Sequence, residues 1–526
     1  MRLVLVFCFF ASAMLLASDA YPPPRFTDPD RVRKLESAFP EVDQIFRRYA
    51  TERKIPGMVW GVVIDGRLAH VGSTGVRDRA SDAPVSDDTE FRIASMTKSF
   101  TVLAILKLRD EGKLSLEDPV SKWIPEFARM ELPTRDTAPL QIRQLLSHSA
   151  GFPEDNPWGD QQLGASDADL TQWLRRGIPF STPPDTRYEY SNYAFGILGR
   201  VVTQASGIPY EKYVRTEILA KLRMDASTFE FSQVPADKRA VGYRLKPDGT
   251  YAVEAPLPQG AFGSAGGLLT TATDLGKYVA FHLSAWPPRD DAETGPVRRA
   301  SVREMSHMWT PSNLTVGRSG GVLQAAETGY GYGLRIATDC RFEHIVGHGG
   351  GLPGFGSYMA WLPDYGVGMF AMANLTYVGP SEPISQAWDV LLKTRGLQKR
   401  ELPASPILSQ MRVHIVHLWK SWDDAEAKQI ASMNLFLDAP IPQRRAEIQQ
   451  LKDEVGECGA ASPVIPENWL RGQFNMTCSK GTVGVFYTLS PTQPPAVQHL
   501  EFRKIDSDRV RMVSPTGAPA GVSCSE

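Results

Sequence analysis

The sequence predicts an α+β protein: an antiparallel sheet flanked by helices and holding a helical insert, followed by a small C-terminal α+β domain. Three observations carry this. β-rich runs lie near both ends of residues 21–398 with helical patterns between them, as expected of a sheet closed around an inserted helical region. A polar, proline-containing stretch, Lys399-Arg400-Glu401-Leu402-Pro403-Ala404-Ser405-Pro406, has the composition of a domain boundary. The chain, at 526 residues, is too long for one hydrophobic core.

The elements follow in order. Residues 58–75 read as two strands around a tight turn at Asp65-Gly66, a dipeptide that favours hairpins. From 95 to 108, Met96, Phe100, Leu103 and Leu106 recur at helical spacing, with Gly112 just past the end. Residues 118–232 mix short helical patterns with loops rich in Pro, Asp and Ser, and 191–203 and 209–222 are the clearest helices there. Strands are expected at 331–336, 342–346, 355–362 and 366–374, the last two joined by the turn-forming Pro363-Asp364-Tyr365-Gly366. Past the boundary, Met411, Ile415, Leu418 and Trp422 share one helical face, and 481–489 and 497–502 look like strands. The expected organisation is a leader at 1–20, a main domain at 21–398, a linker at 399–406 and an accessory domain at 407–526.

Composition narrows the classes of function. A hydrophobic fraction of 42% with 22% charged residues belongs to a globular chain. Net charge is −2, from 57 basic and 59 acidic residues, which gives no electrostatic case for a nucleic-acid or acidic-membrane partner. Arg2, the apolar run 3–16 and Ala17-Ser18-Asp19-Ala20 together read as a secretory signal peptide. Cys8 has no small residue just before it, which argues against a lipoprotein anchor. No later segment approaches ~20 uninterrupted apolar residues. The expectation is a periplasmic or extracellular protein without stable membrane insertion after leader cleavage. Four cysteines remain, Cys340, Cys458, Cys478 and Cys524. They allow three pairings or none, and no CxxC spacing supports zinc or redox chemistry.

The chemistry points to Ser95-Met96-Thr97-Lys98. A serine and a lysine three apart on a helix share one face, so the amine can reach the hydroxyl. Serine is a weak nucleophile and needs an adjacent base. Lysine serves as that base only where burial or nearby positive charge lowers its pKa. A helix start adds N–H donors and a dipole suited to an oxyanion. Two further segments follow. Tyr190-Ser191-Asn192 precedes a helix and would project a tyrosine and an asparagine into a cleft. His348-Gly349-Gly350-Gly351 lies between strand signals, where consecutive glycines would let a substrate backbone lie close to a sheet edge.

SxxK, YxN and HxG in this order resemble the penicillin-recognising serine hydrolases, in the branch of class C β-lactamases, DD-peptidases, D-aminopeptidases and related carboxylesterases. The similarity extends to Phe91-Arg92-Ile93-Ala94, Leu145-Leu146-Ser147-His148-Ser149-Ala150-Gly151, Gly266-Gly267-Leu268, Tyr332-Gly333-Leu334 and the stretch from Gly347 to Gly356. It covers roughly residues 35–395. The resemblance implies a serine β-lactamase/DD-peptidase-like fold. It makes Ser95 the acylated nucleophile, Lys98 its base and Tyr190 the acid/base at the leaving group. Asn192, His348, Gly349 and Gly350 would bind substrate, and the backbone N–H groups of Ser95 and Gly351 would form the oxyanion hole. His348 stands where class C β-lactamases carry lysine. It is expected to bring a pH-dependent charge in place of a permanent one, which lowers the case for efficient β-lactam hydrolysis.

Two decoys are set aside. Gly317-Arg318-Ser319-Gly320-Gly321 matches GxSxG but lacks the strand-turn-helix context that motif requires, and reads as a loop. His344 and His348 are four apart in strand-like sequence with no acidic partner, so no metal site is expected. His148 reads as structural. The resulting expectation is an exported, metal-independent serine hydrolase without a cofactor. It would cleave small-molecule or peptide esters or amides through an acyl-enzyme, as an esterase or D-amino-acid peptidase with weak or no β-lactamase activity. The alternative is a penicillin-binding sensor or binding protein acylated without turnover, which would have no need of Lys98 and Tyr190. Oligomeric state is left open.

Overall fold

Asp65 and Gly66 both adopt positive φ, 49° and 77°, the backbone a two-residue turn needs to match the twist of its strands. They join β1 (Gly57–Ile64) to β2 (Arg67–Asp78). The structure, a computed structural model, describes residues 21–319 and 322–505, so the expected leader and Cys524 lie outside the described residues. Contacts group the chain into two units, residues 28–399 and residues 21–27 with 400–505.

In the first unit, β1 and β2 form one nine-stranded antiparallel sheet with β3 (Ala83–Pro84), β4 (Thr310–Ser319), β5 (Val322–Tyr330), β6 (Arg335–Asp339), β7 (Ile345–Leu352), β8 (Phe355–Leu362) and β9 (Val367–Ala373). The order is β3-β2-β1-β9-β8-β7-β6-β5-β4, so β1 pairs with β9 from the far end of the domain. Every residue of β1 is buried, and its alternation feeds two cores. Met58, Trp60, Val62 and Ile64 pack with the helices Phe39–Glu52 and Ser381–Lys393. Val59 and Val63 join the core of the helical insert, which contains α1 (Thr97–Asp110) and α2 (Asn192–Ser206).

Four local expectations change. The strand expected at 331–336 runs instead from Arg335 to Asp339, as β6. The hairpin β4–β5 occupies a region read as loop, so Gly317 and Arg318 of the GxSxG match are strand residues. Residues 311–318 are all exposed at the sheet's edge, so no in–out alternation marks them as a strand. The strand expected at 342–346 begins at Ile345 and continues through the glycines, because its identity comes from pairing with β8 and not from side chains. The helix expected at 209–222 divides into Tyr210–Tyr213 and a π-helical turn, Val214–Leu219.

The second unit has its own core. Ser405 caps the helix Pro406–Lys420, whose Leu408, Met411, Ile415 and Leu418 pack with Phe474, Val485 and Tyr487. Trp422 lies past the helix end. The sheet contains β10 (Cys458–Ala461), β11 (Ile465–Asn468), β12 (Arg471–Cys478), β13 (Gly481–Leu489) and β14 (Val497–Ile505). A disulfide joins Cys458 to Cys478, which face each other across β10 and β12. Arg25 bridges to Glu401, which places the start of the described chain with this unit. Among the described residues no helix is long and apolar enough to cross a membrane.

Candidate active site

Ser95 sits in a 3-10 turn, Ala94–Met96, at the entry to α1. Ala94 adopts φ 48°, a left-handed conformation that costs a non-glycine residue about 1 kcal/mol or more and must be imposed by its surroundings. The turn is clamped from the sheet, where Ser357 Oγ on β8 donates to Ile93 O at 2.9 Å. Ser95 keeps slight exposure at 8%, while Lys98 is fully buried.

Lys98 Nζ has three neighbours: Asn192 Oδ1 at 2.6 Å, Ala265 O at 2.9 Å and Ser95 Oγ at 3.1 Å. Two are oxygens that can only accept. A neutral amine gives its two N–H bonds to them and turns its lone pair toward the serine hydroxyl. Burial, helped by the Arg335 cation, pushes the Lys98 pKa down to about 7 against the opposing fields of Asp160 and Asp155. The neutral base is therefore well populated near neutral pH. The Tyr190 ring lies 4.9 Å from Nζ, and its hydroxyl faces Ser95 as a hydrogen-bond partner. Burial raises the phenol well above its ordinary value, so Tyr190 keeps its proton.

The N-terminus of α2 fixes the second motif. Ser191 Oγ accepts from Ala194 N, and the Asp155 carboxylate accepts from Asn192 N at 2.6 Å and Tyr193 N at 2.8 Å. Asn192 is buried, with Oδ1 on Lys98 and Nδ2 donating to Asn156 Oδ1 at 3.3 Å. Its Oδ1 thus orients Lys98, beside any contact to a substrate amide that the resemblance implies. His148 is more than scaffolding at a distance: its Nδ1 accepts from Ser191 N at 3.1 Å and its ring packs 4.3 Å from that of Tyr190.

The third motif departs most from expectation. His348 is buried, with Nε2 2.9 Å from Tyr330 Oη and Nδ1 2.6 Å from Gly349 O. Burial, with Arg335 and Lys98 adding repulsion, holds its pKa well below the ordinary histidine value. It is a neutral ring spacing two strands and brings no charge to the cleft. The glycines serve close packing. A Cβ on Gly350 would collide with Ile93 O, and one on Gly351 would come within 2.9 Å of Tyr377 Cδ1, whereas Gly349 has no atom nearer than 3.3 Å. β7 pairs with β8 from Val346 to Leu352 but with β6 only from Ile345 to Gly347, so Gly349 to Gly351 are left unpaired on the β6 side.

Sequence reasoning missed three groups. Arg335 on β6 pairs with Gly347, is exposed, and places its guanidinium carbon 5.7 Å from the Tyr190 ring centre. Asp155 and Asp160 lie in a polar stretch with no motif to flag them. Burial pushes the Asp160 pKa up to about 6, against the pull of Lys98. Among the described residues no group of three His, Cys, Asp or Glu side chains is placed to hold a metal ion.

A sheet flanked by helices, with a serine and a buried lysine at the start of the central helix, is the architecture of the penicillin-recognising serine hydrolases. The Beta-lactamase family profile matches residues 42–391, and the chain belongs to that family. It is 28% identical to Beta-lactamase-like protein 2 of Dictyostelium discoideum over 427 residues, 78% of this chain and 72% of that protein. It is 28% identical to Protein flp of Staphylococcus aureus (strain COL) over 337 residues, 64% of this chain and 63% of that protein. The octameric penicillin-binding protein homologue from Pyrococcus abyssi shares the fold at a TM-score of 0.57 and 24% identity, covering 88% of this chain and 94% of that one.

Proposed function

We propose that the protein hydrolyses small esters or D-amino-acid peptides through an acyl-enzyme on Ser95. The observation that carries this is the Lys98 amine, buried among two carbonyl oxygens and one serine hydroxyl. Lys98 takes the Ser95 proton as Oγ attacks the carbonyl carbon, and its ammonium then donates to all three neighbours. The backbone N–H groups of Ser95 and Gly351 hold the oxyanion. Tyr190, which retains its proton, donates to the leaving group and is reprotonated from Lys98. A water entering by the same route deacylates the serine in the reverse sense.

Arg335 is the permanent cation at the cleft, a part that His348 does not play. Its exposure beside the unpaired edge of β7 supports substrates that carry a carboxylate, as D-amino-acid peptides do. Secretion to the periplasm or outside the cell remains part of this reading, from the leader-like sequence at 1–20. The test is turnover of a p-nitrophenyl ester and a D-amino-acid amide. Steady release that disappears in Ser95→Ala supports a hydrolase. A burst of one equivalent with no further release would show a protein acylated without turnover.

A further inference from the structure

Beside Gly351 lies the side chain of Tyr377. Tyr377 follows β9 and holds φ 55°, a left-handed backbone unusual for an aromatic residue, with its N–H bonded to Phe355 O at 3.2 Å. One edge of its ring lies against Gly351, so close that a side chain there would have to displace it. Its hydroxyl is hydrogen-bonded to Asp160, a buried carboxylate on the helical side of the cleft that lies in the field of Lys98. The ring is thus anchored on both walls yet remains 48% exposed between them. Ala94 and Leu352, which adjoin Ser95 and Gly351 in the chain, form with Leu163 a small apolar cluster packed with Leu257.

Resting on the acyl-enzyme reading above, we propose that Tyr377 is a crossbar that sets the size of the acyl group the cleft accepts. An acyl group on Ser95 with its oxygen toward Gly351 N–H extends its side group into the space beside Gly351, the apolar cluster and the tyrosine ring. Short acyl groups fit beneath the bar; long ones meet the ring edge. Asp160 keeps the bar in place, because with its hydroxyl unheld an exposed tyrosine would rotate into solvent.

The experiment compares kcat/KM for p-nitrophenyl acetate and octanoate in the full chain and in three variants. Tyr377→Ala should raise the octanoate-to-acetate ratio at least tenfold. Tyr377→Trp should lower it, and Tyr377→Phe, which keeps the ring but not the anchor, should fall between wild type and Ala. A second readout is intact mass after reaction with ethyl and octyl fluorophosphonates, which label a serine nucleophile without turnover. Wild type should take the ethyl adduct faster than the octyl one, and Tyr377→Ala should take both alike. A ratio unmoved by Ala and Trp in an active enzyme would overturn the crossbar alone. Wild type that takes neither adduct and turns over no ester would overturn the acyl-enzyme reading and the crossbar with it.

Discussion

The two walls of the cleft are built on opposite principles. In the proposed mechanism the helical wall carries the groups that move protons, Ser95, Lys98 and Tyr190, with Asp155 and Asp160 close by, and nearly every polar atom on it is engaged by another. The strand wall, His348 to Gly351, offers one neutral buried ring and three residues without side chains. In that mechanism proton transfer resides in the helical wall, while the strand wall contributes shape through absence of atoms and the backbone N–H of Gly351. Substitutions should therefore fail differently on each side: by lost chemistry on the helical wall, by lost fit on the strand wall.

The largest effects should come from the helical wall. Ser95→Ala should abolish turnover while leaving the melting temperature close to wild type, since it removes the nucleophile and opens no sizeable cavity. Lys98→Met should lower kcat by roughly 10²–10⁴-fold, the usual worth of a positioned base. An active Lys98→Met enzyme would break the division of labour drawn above.

Next come two neighbouring glycines. Gly350→Ala forces Ile93 and the nucleophile turn apart and should cost about 1–3 kcal/mol in stability together with most of the activity. Gly349→Ala meets only a 3.3 Å contact with Tyr358 and should be mild in both assays. Equal damage from the two would mean that the strand wall is not shaped by the nucleophile turn.

Arg335→Ala should weaken kcat/KM for substrates with a free carboxylate by about tenfold or more, the loss of roughly 1.5–3 kcal/mol expected for a hydrogen bond to a charged group. Neutral p-nitrophenyl esters should change little. A uniform loss across both substrate types would assign Arg335 to holding Tyr190 in place.

The smallest effect sharpens the electrostatics. If neutral Lys98 is the base, kcat/KM rises with pH through about 7 toward a plateau. The Asp160 carboxylate favours the Lys98 ammonium, so Asp160→Asn should lower the lysine pKa and move that limb to lower pH. The Arg335 cation acts in the other direction, so Arg335→Ala should move it to higher pH. A limb that stays in place in both variants would mean that the titrating group is not Lys98.

The sequence made the helical wall legible because its parts are local. SxxK needs only helical spacing, and Tyr190-Ser191-Asn192 needs only a helix start, so Ser95, Lys98, Tyr190 and Asn192 meet where expected. The β1–β2 hairpin was legible for the same reason, since Asp65-Gly66 carries its turn chemistry within two residues. Properties decided by three-dimensional burial were not. His348 as a sequence letter suggests a titrating charge, but burial, with Arg335 and Lys98 adding repulsion, holds its pKa well below the ordinary value. Arg335 lies in an ordinary strand pattern and gains its position only when β6 parts from β7 after Gly347. Asp155 caps a helix 37 residues downstream, a relation no periodicity contains. The edge strand β4 escaped because residues 311–318 meet solvent on both faces.

The left-handed Ala94 has a consequence for how this protein would respond to selection for robustness. Glycine adopts that backbone freely, so replacement of Ala94 would relax the turn in the folded protein while giving the unfolded chain more freedom. The alanine keeps Ser95 on a short tether with few alternative poses. A lineage evolving toward heat tolerance would find little to gain at this position, and its improvements would accumulate away from the nucleophile, in surface loops and in the second unit.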